Sequence, residues 1–291
     1  MIKHISVCFL FLLAGLPVFA QQQIGIKTLS LQSTTYNEVT CLAVKFNATL
    51  KYSLNNLLQQ GDSSCDKYIV EVKLKTDNFI NTTKGYGTYQ NDKGLVKNTY
   101  VLLLSNDVRE FDNLTIYIPM AALDIPEGES TLTPVFTVTD KRKREIAKDI
   151  AGEPFKITVP QKIKLHVMVK DITVAETDAR GELWDYFFAD TAAAKPEVCW
   201  SILLAQKKIN GSPYTKDSYT YKDEEGKDAV EFTISKNDIF YLNTYDYDMM
   251  SFSDEIGSLR IDMNEMERFS GSNFTSRFGK VVKINFTITI L

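Results

Sequence analysis

Apolar and polar residues alternate with a period of two along most of this chain, and this pattern limits the fold more than any other feature. The last segment, KVVKINFTITIL, shows the pattern clearly, because Val282, Ile284, Phe286, Ile288 and Ile290 alternate with polar residues. Successive side chains of a strand point to opposite faces, so the alternation predicts strands with one buried face. Helical periodicity is scarce. We therefore expect an all-β protein.

The alternating segments fall into two groups separated by turn-rich sequence. The first group includes YIVEVKLK, LTIYIP and PFKITV, and the second begins at KIKLHVMVKD and continues through DAVEFTI, IFYL and IGSLRIDM. Several short strands with turns between them are typical of a β-sandwich. We expect two β-sandwich domains in tandem, residues 21–160 and 161–291, which meet at VPQK (159–162).

Three segments depart from the alternating pattern. We expect a short helical turn in MAALDIPEGES and another in NEMERF (264–269). The charge run KRKREIAKD (141–149) is expected to form a solvated turn or a short helix.

The first twenty residues resemble a secretory signal peptide. Lys3 and His4 precede a mostly apolar run, and Val18-Phe19-Ala20 resembles a small-residue cleavage site. The apolar run is too short for a comfortable membrane span, and no later segment is a candidate transmembrane helix. We expect a secreted protein of the periplasm or the cell surface, and the VFA-QQQ junction suggests a bacterial source.

Charge and histidine content argue against two classes of function. After residues 1–20 are removed, 32 Lys and Arg residues face 37 Asp and Glu residues, a net charge of −5 that argues against general nucleic-acid binding. Only His166 then remains, which disfavours catalysis by a nucleophile-histidine pair or a histidine-held metal. A glycosidase with two carboxylates ranks below a binding protein, because the acids cluster too densely. We expect no enzymatic activity.

The mature chain has three cysteines, Cys41, Cys65 and Cys199. A disulfide between Cys41 and Cys65 and two separate buried thiols are equally compatible with the sequence. Cys199 lies in the apolar run VCWSILL and is expected to be a buried, unpaired thiol.

The segment YDYDMMSFSDEIG (245–257) places Asp246, Asp248 and Asp254 directly after a predicted strand. Carboxylates this close repel one another unless a cation joins them. Calcium takes six to eight oxygen ligands and suits such a loop. More acids lie earlier, because TDARGELWDYF contains Asp178 and Asp185.

Residues 162–291 resemble a C2 domain, the β-sandwich known from protein kinase C and synaptotagmins. The opening strand KIKLHVMVKD, the acidic first loop, and an aromatic residue followed by DxD, five residues, Asp, an apolar residue and Gly carry the resemblance. The resemblance implies that Ca²⁺ binds between two acidic loops. Asp246, Asp248 and Asp254 resemble the ligands of the third loop. Asp178 and Asp185 match the first loop.

A second alignment of the first loop remains open. The spacer between Asp178 and Asp185 is one residue longer than usual, and the segment AKPEVCW offers Glu197 as an alternative. In that alignment Asp185 and Glu197 are the first-loop ligands.

The resemblance also implies phospholipid binding. Met249, Met250 and Phe252 lie between the third-loop acids and are either a membrane-contacting tip or internal packing. The expected partners are anionic lipid headgroups or an envelope protein. The alternative is a scaffold protein of the envelope, in which calcium only stiffens the loops or no metal binds.

Overall fold

A computed structural model describes residues 24–51, 66–104, 108–178, 180–181, 184, 195–212, 218–223, 225–247, 255–270 and 273–291. The expected signal peptide and Cys65 lie outside these ranges. So do three expected calcium ligands, Asp185, Asp248 and Asp254.

The first half of the described chain forms two antiparallel sheets. Its strands are β1 (Ile24–Tyr36), β2 (Val39–Leu50), β3 (Lys67–Lys75), β4 (Lys97–Leu103), β5 (Glu110–Pro119), β6 (Gly128–Asp140), β7 (Glu145–Ala151) and β8 (Phe155–Val159). One sheet has the order β1-β2-β5. The other has the order β4-β3-β6-β7, and β8 pairs with the first part of β6.

The second half forms two further sheets. Its strands are β9 (Lys162–Val174), β10 (Val198–Leu204), β11 (Lys207–Gly211), β12 (Thr220–Lys222), β13 (Val230–Ser235), β14 (Phe240–Asp246), β15 (Glu255–Ile261), β16 (Phe274–Phe278) and β17 (Val281–Ile290). The sheet orders are β11-β10-β14-β15 and β12-β9-β17-β16, and β13 pairs with β9. The expected all-β fold with two sandwiches in tandem is confirmed.

Most strands bury the face that the alternation predicts, and one part of β17 does not. Tyr68, Val70, Val72 and Leu74 on β3 are all buried. Val282 was expected to point inward with Ile284, but its side chain is 57% exposed. The register of β17 against β9 shifts between Val281 and Lys283. This bulge adds one residue to the strand, so Val281 takes the inward position and Val282 faces outward.

The three segments that lack alternation form different kinds of secondary structure. Met120–Ala122 forms a 3₁₀ turn, and Met263–Phe269 forms the helix α1, both as expected. Asp262 caps α1, and its side chain accepts a hydrogen bond from the Glu265 amide at 3.1 Å. The run 141–149 was expected to be a turn or short helix, but only its first part is a turn and Glu145 begins β7. Pairing with β6 supplies the backbone hydrogen bonds that the local charge pattern does not reveal.

The two sandwiches share one continuous hydrophobic core. The 3₁₀ turn and Leu123 of the first sandwich are fully buried, and the turn packs against β13 of the second. Lys162 caps this turn, because its ammonium group donates to the carbonyls of Leu123 at 2.5 Å and Ile125 at 2.9 Å. Tyr86 is buried and donates from its hydroxyl to the Thr233 carbonyl at 2.5 Å. The sandwiches therefore pack as one unit.

A buried carboxylate also joins them. Asp238 follows β13, is fully buried, and accepts hydrogen bonds from the Ser235 amide at 2.8 Å and the Thr40 amide at 2.6 Å. Burial raises the pKa of the Asp238 carboxyl. Because Thr40 lies on β2, this side chain connects a strand of the first sandwich to a turn of the second.

Candidate calcium site

One end of the second sandwich collects the segments that carry the expected ligands. The Val174 amide at the end of β9 donates to the Tyr219 carbonyl at 2.9 Å, and the neighbouring Ser218 forms a β-bridge with Glu197. The Tyr247 amide beyond β14 donates to the Glu197 carbonyl at 3.1 Å. Backbone contacts therefore connect the end of β9, the start of β10 and the end of β14.

Asp246 is fixed at this end by the strand pairing around it. It is the last residue of β14, lies opposite Val198 on β10, and is only 2% exposed. Its Oδ1 atom accepts a hydrogen bond from the Glu197 amide at 2.6 Å. A hydrogen bond to a charged group is stronger than a neutral one, so this contact holds the start of β10 and the end of β14 together.

Asp178 lies beyond the end of β9 and is paired with a cationic side chain. It is 6% exposed, and Arg180 contacts both of its oxygens. The Arg180 amide donates to Oδ1 and its Nε donates to Oδ2, both at 2.8 Å. The backbone bond is the turn that Asp forms with the residue two positions on. The Arg180 guanidinium therefore binds the carboxylate oxygen, Oδ2 of Asp178, that a calcium ligand would present to the ion.

The structure therefore describes three of the six expected ligands. It places the Asp246 carboxylate against the backbone amide of Glu197 and pairs Asp178 with Arg180. Within the described ranges, no group of three or more His, Cys, Asp or Glu side chains is arranged to hold a metal. Carboxylate oxygens of Glu197 and Asp246 have the chemistry that calcium prefers, so the described residues fit a calcium site in part.

Arg180 is the residue that sequence reasoning missed. Its position two residues after Asp178 is the spacing of a side-chain-to-backbone turn. A basic residue at that spacing indicates that the protein itself can neutralise the carboxylate of Asp178.

Cys41 and Cys199, the two cysteines that the structure describes, are buried free thiols. Burial raises the pKa of the Cys199 thiol to about 11, and its Sγ donates to the Tyr245 carbonyl at 3.5 Å beside the acidic end. Burial likewise raises the pKa of Cys41 to about 12. Of the two alternatives for Cys41, a disulfide or a buried free thiol, the structure shows the free thiol. Cys199 is buried and unpaired, as expected.

No protein-family model matches the chain, and no curated protein matches it. Among solved structures, a C2 domain is similar over 44% of this chain and 97% of its own length, with 11% identity and a TM-score of 0.30. A C2 domain of plant Extended Synaptotagmin 1 is similar over 44% of this chain and 95% of its own, with 12% identity and a TM-score of 0.30.

A segment of Extended-Synaptotagmin 2 that contains an SMP domain and two C2 domains is similar over 91% of this chain and 86% of its own, with 8% identity and a TM-score of 0.30. Each of these three structures contains at least one C2 domain. Within the described residues, no helix has the length and apolar character needed to cross a bilayer.

Proposed function

We propose that this chain is an exported, non-enzymatic binding protein whose second sandwich binds Ca²⁺ at the acidic end and engages a membrane surface or a protein partner. One observation carries the proposal. Asp246 is buried and held against Glu197 at the point where the chain leaves β14 toward Asp248 and Asp254. The first acid of the motif is therefore anchored to the backbone amide of the residue that directly precedes β10.

Calcium at this end would bind carboxylate oxygens of Asp246 and Glu197, together with Asp185, Asp248 and Asp254. The ion would cancel the local negative charge and leave coordination positions for an anionic headgroup. Burial of one apolar tip residue in a membrane would add roughly 1.5–3 kcal/mol. This contribution is the role proposed for Met249, Met250 and Phe252.

The alternative is an envelope scaffold whose loops bind no metal. The pairing of Asp178 with Arg180 favours this alternative, because the protein itself neutralises one expected ligand. The shared core favours a rigid two-sandwich unit under either function.

Thermal unfolding of the mature chain, residues 21–291, with calcium, magnesium or a chelator tests calcium binding. We expect calcium alone to raise the melting temperature, and Asp246→Asn/Asp248→Asn to abolish the rise. The double variant Asp77→Asn/Asp92→Asn is the matched control, because both residues lie in loops of the first sandwich, far along the chain from the acidic end. Equal melting temperatures in calcium and chelator would refute calcium binding and leave the scaffold.

Vesicle sedimentation then separates the two kinds of partner. Binding to phosphatidylserine vesicles only in calcium, and not to phosphatidylcholine vesicles, is expected for a membrane partner. Calcium-stabilised protein that ignores both kinds of vesicle would indicate a protein partner instead.

A further inference from the structure

A cleft of about 330 Å³ lies between the two sandwiches, away from the acidic end. It is bordered by two hairpin turns, one from each sandwich. The turn Asn37-Glu38 joins β1 to β2, and the turn Ala205-Gln206 joins β10 to β11. A volume of this size is in the range of small-molecule sites, which often lie between domains.

Both turns have positive φ angles, and three of their four residues, Glu38, Ala205 and Gln206, are of types disfavoured in that conformation. The φ angles are 46° and 61° at Asn37 and Glu38, and 48° and 63° at Ala205 and Gln206. Two-residue hairpin turns with positive φ at both positions favour Asn-Gly or Gly-Gly, because other side chains are disfavoured in this region. Strained backbone of this kind concentrates at functional sites. The two turns contribute the amide side chains of Asn37 and Gln206 to the lining of the cleft.

Lys207 places a positive charge in the cleft. Its side chain is partly buried, its Nζ lies 3.2 Å from Asn98 Oδ1, and it lies 4.6 Å from the centre of the Tyr89 ring. Burial lowers the pKa of Lys207. Among the described residues that line the cleft there is no carboxylate, and the Cys41 thiol is neutral because burial raises its pKa to about 12. The described lining therefore presents a cation without an anion to balance it.

Two stacked tyrosine side chains line the same cleft as Lys207. The rings of Tyr36 and Tyr117 are stacked with centres 4.0 Å apart and planes 6° apart, and Tyr36 is 39% exposed. Flat aromatic faces pack against the C–H face of a sugar ring, and amide side chains bond its hydroxyl groups. An ammonium group pairs with a carboxylate.

We propose that this cleft binds an acidic monosaccharide unit. Its carboxylate pairs with the Lys207 ammonium group, its ring packs on the tyrosine pair, and its hydroxyl groups bond Asn37 and Gln206. The site is independent of calcium and uses none of the acidic loops, so it extends the proposed function with a second ligand class.

Titration of the mature chain with D-glucuronate, followed by ligand-observed NMR or calorimetry, tests the proposal, with D-glucose as the neutral analogue. We expect saturable glucuronate binding, and binding of glucose that is about tenfold or more weaker. Lys207→Met should cause the same loss. Lys208→Met is the matched control, because Lys208 is the next residue on β11 and contacts Tyr245 instead.

Three results would overturn the proposal. They are no saturable binding of glucuronate, equal binding of glucuronate and glucose, and equal effects of the two lysine variants. Melting temperatures of both variants are measured alongside, so that loss of the Lys207–Asn98 contact between sandwiches is not mistaken for loss of a ligand contact. If Lys207→Met unfolds, Lys207→Gln replaces it, because that variant also removes the charge and is expected to show the same loss of binding.

Discussion

Gly85 offers a direct test of whether the two sandwiches unfold as one unit. It lies in the first sandwich with φ +97°, and a Cβ added there would be 2.9 Å from the Phe232 Cβ on β13. Gly128, also in the first sandwich, has φ +98° and nothing within 4 Å of an added Cβ. The two glycines therefore share the backbone requirement, and of the two only Gly85 contacts the second sandwich.

The expected costs follow from this difference. Alanine at either position costs roughly 1–2 kcal/mol because of its positive φ. Gly85→Ala adds an overpacking cost of roughly 1–3 kcal/mol, because the backbone on one side and Phe232 on the other must separate. The free energy of unfolding should therefore fall by more in Gly85→Ala than in Gly128→Ala, by about that added amount.

Urea unfolding followed by two signals measures the effect. Both tryptophans of the chain, Trp184 and Trp200, belong to the second sandwich, whereas far-UV circular dichroism reports on both sandwiches. For one cooperative unit, Gly85→Ala shifts the fluorescence transition and the circular dichroism transition together. Equal costs for the two variants, or a fluorescence transition that Gly85→Ala leaves in place, would refute the coupling of the sandwiches through this contact.

Three further outcomes are expected. Burial alone would raise the pKa of the Asp140 carboxyl, but hydrogen bonds from Arg144 outweigh burial and hold that pKa below its ordinary value of 3.8. The ionised carboxylate therefore stabilises the fold above pH 3.8, and this stability is lost as the pH falls through the lowered pKa. Asp140→Asn should cost roughly 1–2 kcal/mol in urea unfolding at pH 7 and less at pH 3, and a cost that is unchanged at pH 3 would contradict this. Cys41 and Cys199 should resist iodoacetamide at pH 8 until urea unfolds the protein, as read by peptide mass spectrometry, because their raised pKa values keep them as buried thiols. Arg180→Gln should strengthen calcium binding about threefold or more in calorimetry, since it removes a competing cation, and weaker binding would show that the guanidinium supports the site.

Local pattern predicts the strands in which apolar and polar residues alternate most clearly, because each of these strands buries one face. The alternation in YIVEVKLK identifies the buried residues of β3, and the pattern in KIKLHVMVKD identifies the start of β9. The outward Val282 was missed because a bulge depends on the partner strand and leaves no trace in the apolar pattern. Strand β7 was missed because two of its buried or partly buried apolar positions, Ile146 and Ala147, are adjacent and do not alternate.

The site was predictable where the motif follows a strand and not where distant chain segments meet. The position of Asp246 at the exit of β14 follows from IFYL before it, and its contact with the Glu197 amide, 49 residues earlier, depends on the pairing of β10 with β14. Asp238 belongs to none of the motifs in the sequence. Its bond to Thr40 needs both sandwiches in place, so no local pattern reveals it.

The contact between Asp238 and Thr40 has a consequence for the order of folding. The chain is synthesised from its N-terminus, and the Thr40 amide receives its partner only when a residue 198 positions later has been made. Until then the turn at Met120–Ala122 also lacks β13 to cover it. Without the second sandwich, the first therefore exposes this apolar turn and leaves the Thr40 amide without its carboxylate partner. We expect these contacts, which join residues far apart in the chain, to form late in folding.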